Sequence, residues 1–255
     1  MIGVVLLAGC AQQAMAPGAE RLVTPSDQRA IADIVPAFSI EAAAGEQHVV
    51  AILNDRLETD RTLELTPTEH LFAVVGGGRV PLVEETYELP GYENPVFLAT
   101  RYTTTLTTDA RQVRIEFDRA DGSIVTSTLN VPARFAIASP PPPNIKLGDT
   151  VAFSISPAPG AESWGYWEAW CDTNPNQLIT DGNNDQVYVA PDGKGTSQIG
   201  GVRFGATNDC MAQLRIRLWA LGDYDSAFGS RVGPVTSTHP MGLQDVEVGV
   251  HLWGY

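Results

Sequence analysis

From Phe38 onward, apolar and polar residues alternate with a period of two, in short runs separated by turn residues. Phe38 and Ile40 alternate with polar positions, and His48 to Leu53 forms a buried-looking run. Leu63 and Leu65 alternate again, and Leu71 to Val75 ends at Gly76-Gly77-Gly78. Arg79 to Val83 restarts the pattern but is broken by Pro81, which suits an edge strand because proline offers no ladder N–H. Tyr102 to Leu106 reads as a threonine-rich strand. Val113, Ile115 and Phe117 then share one face while Arg114, Glu116 and Asp118 share the other. Asp121-Gly122 is a hairpin signal, after which Ser123 to Val131 returns. About seven short strands in roughly 100 residues predict a β-sandwich. No long amphipathic helix competes with that reading.

The second half repeats the pattern. Thr150 to Ile155 alternates and Pro157 to Gly160 turns. Trp164 to Cys171 and Val187 to Val189 read as strands, and Pro191-Asp192-Gly193 as a tight turn. Cys210 to Leu221 is a long strand, and Val246, Val248, Val250 and Leu252 close the chain in strict alternation. Between the halves, Pro140 to Pro143 forms a stiff polyproline spacer. Residues 10–36 lack strand alternation and read as a tether, in which Ser26 to Arg29 can cap a short helix ended by Pro36. The expected layout is an N-terminal β-sandwich over 37–138, a proline-rich linker over 139–146 and a C-terminal β-sandwich over 147–255.

Composition narrows the function classes. The 255 residues carry 30 acidic against 16 basic side chains, a net charge of −14. Such a chain repels nucleic-acid phosphates and an anionic leaflet. The charge is shared, with 18 acids against 10 bases in residues 20–143 and 12 against 6 in residues 144–255. That distribution describes a solvated surface and no charged tail. The charged fraction of 18% argues against a coiled coil, while 24 glycines and 18 prolines suit a turn-rich chain.

The apolar run Ile2 to Leu7 is far too short to span a bilayer, and Leu7-Ala8-Gly9-Cys10 follows it. This motif resembles the lipobox of bacterial lipoproteins. The resemblance implies that residues 1–9 are a signal peptide and that Cys10 becomes the acylated N-terminus. Ala11 after the cysteine implies the outer membrane. Cys171 and Cys210 then remain as an even pair in an oxidising compartment, with 38 residues between them. A bridge there is worth about 3–4 kcal/mol in the chain-entropy model. Cys210 shares strand phase with Leu214, Ile216 and Leu218, and Cys171 shares it with Trp167. The combination resembles the disulfide-plus-tryptophan centre of immunoglobulin-like sandwiches, although its spacing departs from the antibody pattern. The whole layout looks like exported lipoproteins of Gram-negative bacteria with tandem immunoglobulin-like or fibronectin-III-like β-sandwiches. That resemblance implies a lipid-anchored outer-membrane protein facing the periplasm or the cell surface, and it implies no catalytic residue.

Motifs for chemistry are sparse. The sequence has no Gly-x-Ser-x-Gly elbow, His-Glu-x-x-His, Walker loop or Cys-x-x-Cys. Gly76 to Gly78 joins two β-like runs, which does not suit a phosphate cradle. His48, His70, His239 and His251 show no ligand spacing, and Glu84, Glu85 and Glu88 read as a solvated cluster. Two constellations stand out. Trp164, Tyr166 and Trp170 share one strand face with Glu168, opposite Trp167, while Trp219 shares the outward phase of its strand with Arg215 and Arg217. Such a face can stack sugar rings, or it can be cover for the sandwich. Asp172, Asn174, Asn176, Asp181, Asn183 and Asp185 form an oxygen-rich loop whose opening resembles an EF-hand. Calcium is the only cofactor it suggests, and Gln177 and Asn183 stand where that pattern needs glycine and glutamate. The expected function is therefore a non-enzymatic cell-envelope structural or interaction module, held to the membrane through acylated Cys10 and meeting a protein or glycan partner. The alternatives are an adhesin-like glycan binder using Trp164, Tyr166 and Trp170, and an exported hydrolase without a recognisable motif.

Overall fold

The structure, a computed structural model, describes residues 19–43, 45–89, 96–146, 148–159, 163–171, 186–198, 209–229 and 239–253. For residues 169–171, 186, 198, 209, 210, 252 and 253 it describes the backbone alone. The chain is all β. The first half carries β1 (Glu20–Arg21), β2 (Val23–Pro25), β3 (Ile34–Ala43), β4 (Glu46–Asp55), β5 (Thr62–Glu64) and β6 (His70–Val75). It continues with β7 (Gly78–Pro81), β8 (Val83–Glu88), β9 (Phe97–Thr107), β10 (Gln112–Asp118) and β11 (Ile124–Asn130). The second half carries β12 (Ala136–Ser139), β13 (Asn144–Lys146), β14 (Thr150–Ser156) and β15 (Ser163–Cys171). It ends with β16 (Gln186–Val189), β17 (Lys194–Gln198), β18 (Asp209–Leu221) and β19 (Met241–Trp253).

The first sandwich pairs β3-β4-β9-β8 in one sheet and β7-β6-β10-β11 in the other. Of these eight strands in chain order, the first, second, sixth and fifth form one sheet and the rest form the other. The alternation dictates what is inside. Val49, Ala51 and Leu53 of β4 meet Val113, Ile115 and Phe117 of β10 in one core. Burying each large apolar side chain contributes about 1.5–3 kcal/mol. Gly122 turns the β10–β11 hairpin at φ +83°, and Asp121 Oδ1 accepts from Ser123 N at 2.8 Å. Pro81 lies in β7, at the sheet edge.

The second sandwich sets β12-β14-β17 against β16-β15-β18-β19, with β16 and β17 also paired along one side. Among the described residues Trp167 is its largest buried side chain, and its Nε1 donates to Ser197 Oγ on β17 at 2.9 Å.

Two expectations from the sequence need correction. The tether over residues 10–36 is folded in its second part: β1 pairs β9, β2 pairs β5, and short 3-10 turns occupy Ser26–Gln28 and Ile31–Asp33. Buried ion pairs hold it there. Asp55 accepts from Arg29 Nε at 2.9 and 2.8 Å, and the Glu69 carboxylate receives Ser26 Oγ and lies 3.1 Å from Arg119 Nε. Arg119 also donates to the Arg29 carbonyl at 3.0 Å. The second correction concerns residues 139–146, expected as a spacer. β12 is antiparallel to β14, whereas β13 runs parallel to β19, and the Pro143 carbonyl accepts His251 N at 2.7 Å. The prolines carry one edge strand across from sheet to sheet inside the second sandwich.

The two sandwiches are welded. β18 and β19 form a continuous hairpin from Asp209↔Trp253 to Leu221↔Met241, and its far end adds to the first sandwich. There Met241–Gln244 run parallel to Ser39–Ala42 of β3. Beyond β18, Asp223 and Thr128 exchange backbone hydrogen bonds at 2.8 Å. Asp225 accepts Thr126 N at 3.1 Å, and the Tyr224 hydroxyl accepts Phe38 N at 3.2 Å. Phe228, from the second half of the sequence, is buried in the first core against Phe38. Glycine is required for this contact. A Cβ on Gly242 would stand 2.0 Å from the Asn130 carbonyl oxygen, and one on Gly222 would stand 1.9 Å from that of Thr128.

Two outcomes follow from this construction. Native protein is expected to melt in one cooperative transition. Gly242→Ala should lower stability by a few kcal/mol, about 5–10 °C in Tm, and split the transition in differential scanning calorimetry. Asp55 supplies a pH signature. Burial opposes its ionisation, but the Arg29 guanidinium and the Leu57 and Glu58 N–H groups outweigh burial and hold its pKa below the usual carboxylate range. Its stabilisation is therefore complete above about pH 4 and is lost as pH falls through the depressed value. Urea midpoints should fall more steeply as pH drops below about 4 in native protein than in Asp55→Asn.

Candidate functional site

The outer face of β16-β15-β18-β19 is built by register. Trp164 of β15 lies between Tyr188 of β16 and Arg217 of β18, and Arg217 lies beside Asp245 of β19. In the next row Tyr166 is followed by Arg215 and Glu247. At the end toward the first sandwich, Trp219 is followed by Leu243 and then by Glu41 of β3. Since Trp167, Leu214, Ile216 and Leu218 fill the core, the alternate positions must face out.

Trp164 is 43% exposed, Tyr188 37% and Trp219 44%. The Trp164 and Tyr188 rings meet edge to face at 5.3 Å. Arg217 donates to both Asp245 oxygens at 2.8 and 2.6 Å. That bond, with the Glu41 charge nearby, raises the Arg217 pKa against the effect of burial. Arg215 donates to the Tyr166 hydroxyl at 3.1 Å and pairs with Glu247 at 2.6 Å. Burial opposes its charge, but Tyr166, Glu168 and Glu247 hold its pKa up. The result is a flat face on which exposed rings adjoin charged forks fixed in position. It can stack a planar or ring-shaped ligand and offer oriented donors and acceptors beside it.

A groove of about 380 Å³ opens next to this face, where the two sandwiches meet. Pro132, Pro157, Pro159 and Leu218 line it, with Trp219 and Arg111.

Several candidates from the sequence are placed by the structure. Trp164 and Tyr166 share the outer face, and Trp170 stands opposite Met211 in the backbone register, its side chain lying outside the described residues. Cys171 and Cys210 are register partners on neighbouring strands of one sheet. This differs from the immunoglobulin centre, which joins the two sheets. Cys10 and the calcium candidates Asp172, Asn174, Asn176, Asp181, Asn183 and Asp185 lie outside the described residues. Among the described residues no three His, Cys, Asp or Glu side chains form a metal-ligating group. Glu84 pairs with Arg21 and Glu85 with Arg101, so these glutamates belong to ion pairs. His48 faces Thr105, His70 packs on Phe72 and His239 reaches the Gly222 carbonyl. Sequence reasoning missed Tyr188 and Arg111. Tyr188 was accessible from the alternation, because Val187 and Val189 flank it and point inward. Arg111 was not, because its groove exists only once the sandwiches are joined. No protein-family model matches the chain, and no curated protein sequence matches it.

Proposed function

We propose that the protein is a non-catalytic, lipid-anchored module of the Gram-negative cell envelope, presenting the outer face of its second sandwich to a partner. The observation that carries this reading is the exposed Trp164–Tyr188 pair, set among arginines that their carboxylates hold in place. Exposed aromatic clusters of this kind mark interaction surfaces, since an isolated soluble fold gains nothing from leaving them in water. The Leu7-Ala8-Gly9-Cys10 motif supports the anchor and outer-membrane placement. The register of Cys171 with Cys210 supports a cross-strand disulfide, because directly opposed antiparallel residues lie about 4.5–5.5 Å apart at Cα, inside the disulfide range. Protein extracted from membranes should show, by intact-mass and peptide mass spectrometry, acyl groups on Cys10 and two hydrogens fewer on the peptides holding Cys171 and Cys210. Unmodified Cys10 overturns the anchor, and two free thiols overturn the bridge.

A second reading makes the partner a glycan, and the same exposed rings favour it. Indole and phenol faces of this size stack on the C–H faces of a pyranose while Arg215, Arg217 and Glu168 address its hydroxyls. On a glycan array, Trp164→Ala should weaken retained ligands about tenfold or more, ~1.4 kcal/mol, with the melting temperature unchanged because the ring is exposed. An array on which native protein retains no glycan, or on which the variant behaves as native, removes this reading.

A further inference from the structure

We infer that the groove between the sandwiches is a subsite for a sugar ring bearing one carboxylate, with Arg111 as its anion contact and Trp219 as its stacking surface. The inference rests on the glycan reading of the neighbouring face.

Arg111 is the starting observation. The other described arginines are engaged: Arg119 with Glu69, Arg134 with Asp109, Arg114 with Glu116, Arg56 with the Ala32 carbonyl, and Arg215 and Arg217 as given above. The same holds for Arg21, Arg29, Arg61, Arg79 and Arg101. Among the described residues, Arg111 alone of the arginines has a guanidinium with neither a hydrogen bond nor an ion pair. In a chain of net charge −14, a cation left without a carboxylate is conspicuous. It lines the groove, whose volume of about 380 Å³ lies within the usual range for small-molecule sites, roughly 300–1,000 Å³.

The other walls select the ligand's body. Pro132, Pro157, Pro159 and Leu218 are apolar, and the Asn130 amide is occupied, donating to the Leu221 carbonyl at 2.7 Å and accepting from Gln112. Trp219 supplies a flat ring that is 44% exposed. A planar guanidinium fork beside an indole and proline C–H surfaces matches a ring with one apolar face and one carboxylate. The acidity of the protein limits the ligand's charge. Polyanions and acidic peptides are repelled by the whole surface, whereas a single carboxylate can be neutralised locally.

Position ties the groove to the aromatic face. Trp164 is the register partner of Arg217, and Trp219 lies two residues farther along β18. The two tryptophans are therefore diagonal neighbours on adjoining strands, about 7–8 Å apart at Cα. A short saccharide stacked on Trp164 reaches the groove with its next ring.

The test uses isothermal titration of the full chain with the disaccharide glucuronosyl-β-1,4-glucose and with its methyl ester, which keeps the ring and removes the charge. The acid should bind at least about tenfold tighter than the ester, with affinity falling as salt rises. Arg111→Gln should erase that preference, and Arg111→Lys should restore part of it by charge without the fork. Trp164→Ala should weaken acid and ester together and leave their ratio unchanged. Because Arg111 is exposed and unbonded, its variants should keep the native melting curve. Equal binding of acid and ester, or an acid preference that survives Arg111→Gln, overturns the subsite and leaves the glycan reading standing. Binding of neither ligand, together with an empty glycan array, overturns both. Capture of an acidic peptide in place of the sugar acid, lost in Arg111→Gln, overturns the saccharide assignment.

Discussion

Four residues at the start of β19 lie beside four of β3, and because β19 also carries the entire register of β18, whatever holds that pairing holds both sandwiches. The pairing has a steric condition and an apolar one. Gly242 and Gly222 let the hairpin approach the Asn130 and Thr128 carbonyls, and Phe228 and Tyr224 pack against Phe38. The apolar contact is long range in sequence, so closing it costs chain entropy that the packing of both sandwiches must offset. The reward is one sheet continuous through both, with the strand edge of β3 covered where an exposed edge would template aggregation.

That continuity sets the geometry of the outer face. Glu41 of the first sandwich reaches the electrostatic field of Arg217 because β3 lies beside β19. The groove beside Trp219 is walled partly by Pro132 from the first half and partly by Pro157 and Pro159 from the second. Hinged sandwiches would open and close such a groove. Welded ones fix its width, and a ligand then binds without the entropic cost of ordering two domains.

Much of the fold was legible in the alternation, and much of the assembly was not. The β10–β11 hairpin, its Asp121-Gly122 turn, the edge position of Pro81 and the long β18 and β19 follow from period two and turn chemistry. Period two tells which face a residue occupies and says nothing of which strand lies alongside. The β3–β19 pairing was therefore invisible, as was Phe228 in the distant core. Glycines inside strand-like runs were a usable clue, since a glycine there often marks a close backbone approach. Of the site, Trp164 and Tyr166 were legible as outward positions, and the partners that orient their neighbours, Asp245 and Glu247, were not. Glu69 and Asp55 escaped because composition counts a buried acid as one more surface charge. Only the structure shows that their side chains are fully buried against Arg119 and Arg29.

Those two buried carboxylates change the reach of the molecule. With the chain loose from Cys10 to residue 36, an acylated protein could place its first strand as much as about 90 Å from the membrane. In the structure Glu20 is already paired, with Phe97, and the following turns are pinned by Asp55–Arg29 and by Glu69 with Ser26 and Arg119. Breaking a buried pair of this kind by removing one partner costs about 3–5 kcal/mol, so the segment does not detach cheaply. Ten residues from Cys10 to Glu20 span at most about 35 Å. For a chain acylated at Cys10, the first sandwich is therefore confined close to the bilayer surface, and the weld denies the second sandwich an independent swing. If Cys10 is acylated as proposed, a partner that meets the Trp164–Trp219 face must come to the membrane, and the confinement then favours ligands that are themselves components of the envelope.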